Sequence, residues 1–174
     1  DGTTNTALTS FTNNGTTVLD GSLSAATGDN STTGTLYGTG TFTGAFTNDG
    51  TIKPGHSPGV MSFVGSYTQS GTGTYVIDIN ANNNHNNNTG PVAGTDYDQI
   101  AVSGTPGTAT LAGNATINQN GGEFVNGTVY HILTTSTNTP TGTNGEISGS
   151  FNFTNNVISP FITLAPNVAN VANT

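Results

Sequence analysis

The chain has 174 residues, which is enough for one domain with a hydrophobic core. It carries one cationic side chain against nine carboxylates, for a net charge of −8, and contains no cysteine. One cation cannot neutralise a phosphate backbone or an anionic lipid surface, so this charge balance argues against partners of either kind. The lack of cysteine excludes a disulfide framework and thiolate chemistry.

The polar residues are those of strands and turns. Charged residues make up only 6% of the chain, and threonine, glycine and asparagine supply most of its polarity. Threonine suits a pleated, half-buried surface, whereas glycine and asparagine tolerate the positive φ of tight turns. No segment places apolar residues at helical spacing between helix caps. The composition therefore predicts an all-β protein with almost no helix.

A short phrase recurs along the chain. Residues Phe11–Thr16 read FTNNGT, residues Phe46–Thr51 read FTNDGT, and Phe153–Asn156 read FTNN. Recurrence of a strand and turn predicts a solenoid, in which each rung buries its apolar face against the next. In each phrase we expect an inward phenylalanine and an asparagine corner. The alternative interpretation is chance repetition in a chain rich in threonine, asparagine and glycine.

The later segments alternate between strand and loop signals. Closely spaced glycines within residues 34–47 predict short strands with tight corners, and residues 80–89 read as a polar surface loop. Residues 157–164 are the most apolar stretch. Further strands are predicted over Thr74–Ile79, Gln99–Val102, Ala109–Ala112, Ala115–Ile117 and Thr128–Leu133.

Residues 48–63 read NDGTIKPGHSPGVMSF, which predicts two strands separated by a Pro-Gly corner and a Ser-Pro-Gly corner. This phrase resembles the signature near the C-terminal end of autotransporter passenger domains and their barrel-less secreted relatives. Similar phrases follow within residues 65–79, 97–113 and 130–151, and their order agrees over roughly residues 46–153. The signature positions in this chain are Gly50, Pro54, Gly55, Ser57, Pro58, Gly59, Tyr97, Asp98, Gly104, Gly149 and Phe151.

The resemblance implies a right-handed parallel β-helix, or β-solenoid, with wider, sandwich-like C-terminal rungs. It also implies export to the cell surface or the extracellular medium, and it implies no catalytic residue. We therefore expect a single domain over residues 1–174, with short rungs over 1–64, wider closing rungs over 65–153 and an apolar strand or tail over 154–174. We expect no membrane insertion by this chain. The scarcity of lysine and arginine departs from the family pattern.

Candidate catalytic groups are few. Asp96 and Asp98 form the best carboxylate pair for glycoside hydrolysis, because residues two apart on a strand share a face. The favoured alternative places Asp98 in a structural Tyr-Asp phrase and Asp96 in a solvated turn. A polysaccharide lyase needs a cationic base, and Lys53 is the one candidate. We therefore predict no enzyme activity.

No cofactor is predicted either. The three histidines, His56, His85 and His131, show no metal-ligand spacing, so we expect them to be structural or solvent-facing. Calcium binding by oxygen ligands within residues 80–98 is a weak alternative.

Lysines commonly protect strand edges from pairing, and this chain has one lysine. We therefore predict an extracellular scaffold, filament subunit or adhesin, with a second copy of the chain or surface glycans as its partner. The candidate assembly residues are Leu8, Phe11, Val18, Val157, Ile158, Phe161, Ile162 and Leu164. A polysaccharide-binding or polysaccharide-degrading solenoid is the alternative. Ice binding by Thr33, Thr35, Thr39, Thr41 and Thr43 is a third hypothesis, and the β-propensity of threonine is the favoured explanation of that pattern.

Overall fold

The computed structural model of this protein describes residues 8–81, 90–122, 124, 127–135 and 147–155. Within these residues the chain forms thirteen strands and no α-helix. Sheet A contains β1 (Leu8–Asn13), β3 (Ser22–Asn30), β5 (Thr41–Asn48), β7 (Val60–Gln69), β9 (Gln99–Leu111), β11 (Leu133–Thr135) and β12 (Ile147–Gly149). Sheet B contains β2 (Thr16–Val18), β4 (Thr35–Gly38), β6 (Thr51–Pro54), β8 (Thr74–Ile79), β10 (Asn114–Gln119) and β13 (Asn152–Asn155).

Up to β10, successive strands alternate between the two sheets, so each rung consists of one strand from sheet A and the next from sheet B. The pairings between these strands are parallel. In the last rung β11 and β12 pair with successive parts of β9, and β13 pairs with β10. This arrangement confirms the predicted all-β parallel solenoid. Strand β9 has 13 residues against 10 in β7, because it loops out between Ser103 and Thr108, where its pairing with β7 is interrupted.

The core lies between the two sheets. Strand residues alternate in direction, so β5 and β7 send aromatic side chains inward and small residues outward. The ring centroids of Phe42 and Phe46 are 4.9 Å apart, those of Phe46 and Phe63 are 4.8 Å apart, and those of Phe63 and Tyr67 are 4.9 Å apart. Sheet B contributes Leu36, Ile52, Tyr75, Ile77 and Ile79, all buried. A stack of rings therefore runs across successive rungs, at separations where aromatic pairs attract each other.

Two glycines allow the central strands of sheet A to approach. Gly44 on β5 and Gly65 on β7 are register partners, with φ of +133° and +138°. A Cβ atom at Gly65 would lie 2.3 Å from the Gly44 carbonyl oxygen, and a Cβ at Gly44 would lie 1.9 Å from the Ala25 carbonyl oxygen. Only glycine fits this pair of positions, because both the space and the backbone conformation exclude a side chain.

Most strand predictions are confirmed. The segment Thr74–Ile79 is strand β8, and the two predicted strands over 99–102 and 109–112 belong to one strand, β9. The prediction over Thr128–Leu133 is wrong, because strand β11 begins only at Leu133. The phrases at Phe11 and Phe46 occupy the same corner of different rungs, but Phe153 pairs with Ala115 in sheet B and does not belong to that corner.

Two predicted segments, residues 82–89 of the polar loop and the apolar stretch 157–164, lie outside the described residues. The described part of the chain contains no helix long and apolar enough to cross a membrane.

Candidate functional site: the corner ladder and the Asp98 clasp

Four amide side chains lie at the corner where strands of sheet A end. Asn13, Asn30, Asn48 and Gln69 are the last residues of β1, β3, β5 and β7, and they are in register from strand to strand. Each points between the sheets and is at most 4% exposed. We call these four residues the corner ladder.

Hydrogen bonds join the members of the corner ladder along the solenoid. The Asn13 Nδ2 donates to Asn30 Oδ1 at 2.8 Å, and the Asn30 Nδ2 donates to Asn48 Oδ1 at 2.7 Å. The Asn48 Nδ2 then donates to Gln69 Oε1 at 3.3 Å. Because Asn13 and Asn30 also donate to backbone carbonyls of sheet B, each of these two amides connects neighbouring rungs in both sheets.

The last member of the corner ladder, Gln69, is hydrogen-bonded to a buried tyrosine and to the next rung. The Tyr67 hydroxyl donates to Gln69 Oε1 at 2.9 Å, and Gln69 Nε2 donates to the Asn114 carbonyl oxygen at 2.9 Å. Burial raises the pKa of Tyr67 above its usual range, so the phenol stays neutral and can donate. A buried polar network with its donors and acceptors paired fixes the positions of its members and favours one register.

A second polar cluster joins the fourth rung, formed by β7 and β8, to the start of the fifth rung, formed by β9 and β10. The Asp98 carboxylate accepts the backbone N–H of Gly59 at Oδ1, at 2.7 Å, and the backbone N–H of Asp78 at Oδ2, at 2.8 Å. Two backbone hydrogen bonds lie beside it, from Asp98 N to the Asp78 carbonyl and from Gln99 N to the Gly59 carbonyl. We call the Asp98 carboxylate with these two amides the Asp98 clasp.

The Asp98 side chain is buried. Asp98 is 1% exposed, and burial raises the pKa of its carboxyl to about 7, although the Asp78 and Gly59 N–H groups oppose that shift. The Tyr75 hydroxyl donates to the Ile132 carbonyl at 2.7 Å and lies 3.3 Å from the Asp98 carbonyl. Burial, followed by the charge of Asp98, raises the pKa of Tyr75 well above its usual value.

The predicted carboxylate pair does not form a cleft. Asp96 lies in a turn, and Asp98 precedes β9 by one residue, so the expectation that both lie on a strand is wrong. The Asp96 side chain is buried, not solvated, although the neighbouring Thr95 is exposed, and Asp96 Oδ2 accepts the Val92 N–H at 2.6 Å. Both oxygens of Asp98 accept backbone hydrogen bonds inside the core, so this carboxylate is not accessible to a sugar.

The histidines lie apart from these clusters. The His56 Nε2 is 2.9 Å from Asp20 Oδ1, and both side chains are exposed. The Thr39 N–H and then His56 lower the pKa of Asp20. His131 is exposed and precedes β11 by two residues, not on a strand as predicted, and His85 lies outside the described residues. Among the described residues, no group of three or more histidine or acidic side chains is placed to hold a metal ion.

Among the signature residues, Gly55 and Gly59 form the corner whose Gly59 N–H is bound in the Asp98 clasp. A Cβ at Gly55 would lie 2.3 Å from the Gly59 Cα, and a Cβ at Gly59 would lie 2.2 Å from the Gly55 Cα, so the corner between them closes only with two glycines. The Phe151 ring is 5.8 Å from that of Tyr75. Among the remaining signature positions, Ser57, Gly104 and Gly149 adopt positive φ.

The predicted threonine array is divided between surfaces. Thr33 and Thr39 lie in turns, Thr35 lies on sheet B, and Thr41 and Thr43 lie on sheet A. Two ranks of small residues do continue across the outer face of sheet A, each rank being a row of register partners on successive strands. One rank contains Ser10, Thr27, Ala45, Ser66 and Thr108, and the other contains Thr12, Asp29, Thr47, Thr68, Thr110 and Ser148.

Sequence reasoning did not identify the corner ladder as a unit. Its signal is an amide two residues after an inward aromatic, as in Phe11 and Asn13, Phe46 and Asn48, and Tyr67 and Gln69. In the second rung Gly28 takes the aromatic position before Asn30, because the Phe42 and Phe46 rings fill that space.

Comparisons with known proteins returned no matches. A scan against protein-family models, a search of curated proteins and a search of solved structures each found nothing similar to this chain.

Proposed function

We propose that this chain is a non-catalytic structural module of an extracellular or surface-exposed β-solenoid protein. The observation that carries the proposal is the use of its buried polar groups: the corner ladder and the Asp98 clasp join one rung to the next. A site for turnover requires reactive groups that reach a substrate, whereas these groups bind backbone and side-chain partners inside the core. Such an arrangement suits a stiff scaffold.

The resemblance to autotransporter passengers supports the same proposal. Two of the phrases that carry the resemblance are the corner containing Gly55 and Gly59 and the Tyr97-Asp98 phrase. The Asp98 clasp connects them directly, since the Gly59 N–H is bound by the Asp98 carboxylate. The resemblance is the ground for proposing that the protein is secreted or displayed on a cell surface.

We also propose that the module associates with further copies of itself through the edge of the stack. Strands β1 and β2 are the outermost described strands of their sheets, and Leu8 and Val18 on them are 50% and 48% exposed. Unpaired backbone groups on edge strands accept additional strands, and no lysine protects these two strands.

Electron microscopy of the purified chain at increasing concentration, with light scattering, tests this proposal. We expect the wild-type stacks to join into fibres, and the double variant Leu8→Lys with Val18→Lys to remain single. The matched control is Val129→Lys, which adds a charge at a residue that is 62% exposed outside the strands. A wild-type protein that stays monomeric at all concentrations contradicts self-assembly, and turnover on a broad polysaccharide panel contradicts the non-catalytic role.

One observation favours a second candidate function, the binding of ordered water or ice. The two ranks on sheet A repeat about every 4.8 Å between strands and about 6.7 Å along each strand. All of their members except Ala45 and Asp29 carry a hydroxyl group. Threonine also loses little rotamer freedom when its hydroxyl is ordered.

Thermal hysteresis measurements test this second candidate. Thr68→Tyr would interrupt the second rank, whereas Thr116→Tyr places the same side chain on the outer face of sheet B. Ice shaping by the wild type that is lost only in Thr68→Tyr supports the candidate. The absence of ice shaping by the wild type contradicts it.

A further inference from the structure

Four side chains from the first three rungs meet on the outer face of sheet B, beside the corner that follows β6. Alternation along β4 buries Leu36 and turns Tyr37 outward, where its register partner on β6 is the exposed Lys53. The His56 ring is perpendicular to the Tyr37 ring, with the centroids 6.0 Å apart, and His56 Nε2 is 2.9 Å from Asp20 Oδ1. We call Asp20, Tyr37, Lys53 and His56 the Tyr37 patch.

The residue types of the Tyr37 patch are rare on the surface of this protein. Lys53 is the one lysine or arginine in the sequence. Tyr37 is the one tyrosine of five that lies on an outer face. The other four are buried in the core or pack against it: Tyr67, Tyr75, Tyr97 and Tyr130. The fold therefore brings the single long cation and the single outward tyrosine together.

The Tyr37 patch contributes little to holding the rungs together. The Asp20 and His56 side chains are 50% and 59% exposed, and ion pairs in water stabilise a fold only weakly. Within the part of the chain that the structure describes, neither the Tyr37 hydroxyl nor the Lys53 ammonium makes a hydrogen bond to another residue. These two polar groups therefore remain available to a ligand.

A sugar ring matches the chemistry of the Tyr37 patch. The C–H groups on one face of a pyranose pack against the negatively polarised face of an aromatic ring, while the rim of the sugar carries neighbouring hydroxyls. Asp20 can accept hydrogen bonds from these hydroxyls and Lys53 can donate to them, and charged partners make the stronger hydrogen bonds. The Thr39 N–H, followed by His56, lowers the pKa of Asp20, so this carboxylate is an acceptor at neutral pH.

We propose that the Tyr37 patch binds a neutral glycan, with one pyranose ring against Tyr37 and its hydroxyls on Asp20 and Lys53. A neutral glycan fits better than a uronate polymer, because the chain has a net charge of −8 and Asp20 lies within the patch. The patch lies on the outer face of a sheet, so an internal unit of a long polysaccharide can reach it. This inference goes beyond the structural role proposed above and does not depend on self-assembly.

Affinity gel electrophoresis tests the site, with each mobility taken relative to a gel without polysaccharide. The probes are three neutral polymers, β-glucan, galactomannan and dextran, and two uronate polymers, polygalacturonate and alginate. We expect at least one neutral polymer to retard the wild type. Its dissociation constant should rise about tenfold or more in Tyr37→Thr and in Lys53→Gln. Asn152→Thr, on the outer face of the same sheet at β13, is the control and should bind as the wild type does.

A wild type that no neutral polymer retards would overturn the site, as would a Tyr37→Thr variant that binds as tightly as the wild type. Binding to the uronate polymers alone would contradict the neutral ligand. If Tyr37→Thr does not fold, NMR spectra of the wild type with the retarding polymer decide. Shifts of the amide signals of the Tyr37 patch support the site, and shifts confined to other residues contradict it. A wild type that binds glycan and stays monomeric contradicts only self-assembly.

Discussion

The Gly59 amide nitrogen lies 2.7 Å from the Asp98 Oδ1, although the two residues are 39 positions apart in the sequence. The neighbouring backbone bond from Gln99 N to the Gly59 carbonyl, at 2.9 Å, runs in the opposite direction. The glycine corner before β7 and the start of β9 thus bind each other through side chain and backbone.

Removing the Asp98 carboxylate should destabilise the protein. Asp98→Ala leaves the buried N–H groups of Gly59 and Asp78 without an acceptor, at about 1–3 kcal/mol each. We expect a loss of about 3 kcal/mol in the free energy of unfolding, measured by urea denaturation at pH 6. The control Asp20→Ala removes an exposed carboxylate and should change that free energy much less. A loss in Asp98→Ala no larger than in the control would contradict the structural role.

Removing one side chain of the corner ladder should lower the free energy of unfolding by a similar amount. Asn30→Ala removes the acceptor of Asn13 and the donor to Asn48, and also the donor to the Thr51 carbonyl, all in the core. We expect a loss of about 2–4 kcal/mol in the free energy of unfolding. Asn14→Ala, at the neighbouring exposed turn, is the matched control. Equal stability of the two variants would show that the ladder contributes nothing.

A methyl group at Gly65 should be poorly tolerated. The Cβ of Gly65→Ala would lie 2.3 Å from the Gly44 carbonyl oxygen at a φ of +138°, and backbone cannot yield as a flexible side chain can. We expect the free energy of unfolding to fall by about 3 kcal/mol or more, or the variant not to fold. Thermal melts of both variants check this. Gly71→Ala has open space around its Cβ, so its free energy of unfolding should be nearly that of the wild type. A Gly65→Ala variant as stable as Gly71→Ala would refute the packing argument.

Asp29 and Asp20 should respond to pH with opposite signs. Burial, followed by the charge of Asp49, raises the pKa of Asp29, so its ionisation opposes folding once the pH exceeds that pKa. Asp29→Asn should therefore stabilise the protein at pH 7, by a few tenths of a kcal/mol after solvent screening, but not at pH 3. The pKa of Asp20 is lowered by the Thr39 N–H and by His56, so its stabilising effect is present at neutral pH and lost in acid.

Unfolding midpoints of both variants at pH 3 and pH 7 check these signs. Asp20→Asn should lower the midpoint at pH 7 and should have less effect at pH 3. A midpoint lowered at pH 7 by Asp29→Asn would contradict the proposed repulsion between Asp29 and Asp49.

Composition, periodicity and turn chemistry were sufficient to predict an all-β chain, whereas the parallel solenoid was predicted from the repeated phrase and from the resemblance. Strand β8 alternates Tyr75, Ile77 and Ile79 toward the core, and this alternation is visible in the sequence. Strand β9 was predicted as two strands, whereas the chain loops out between Ser103 and Thr108 and then pairs with β7 again. Local signals cannot show that a strand resumes after such an excursion.

The corner ladder and the Asp98 clasp were harder to predict, because they depend on register between distant segments. Asn30 and Gln69 follow residues of different kinds, Gly28 and Tyr67, and only the pairing of β3, β5 and β7 shows that they occupy one column. The burial of Asp96 was missed for a related reason. Its neighbours Gly94 and Thr95 are small or polar, and the Asn80 N–H that donates to its carbonyl oxygen comes from a distant part of the sequence.

The excursion between Ser103 and Thr108 has a practical consequence. Thr105 and Pro106 are exposed at its tip, and β7 pairs with β9 on both sides of it, at Val64 with Ser103 and at Ser66 with Thr108. A foreign peptide inserted between Thr105 and Pro106 would therefore extend from a loop that already projects from the sheet, without interrupting the pairing of β7 with β9. This position makes the chain a natural carrier for epitope grafting.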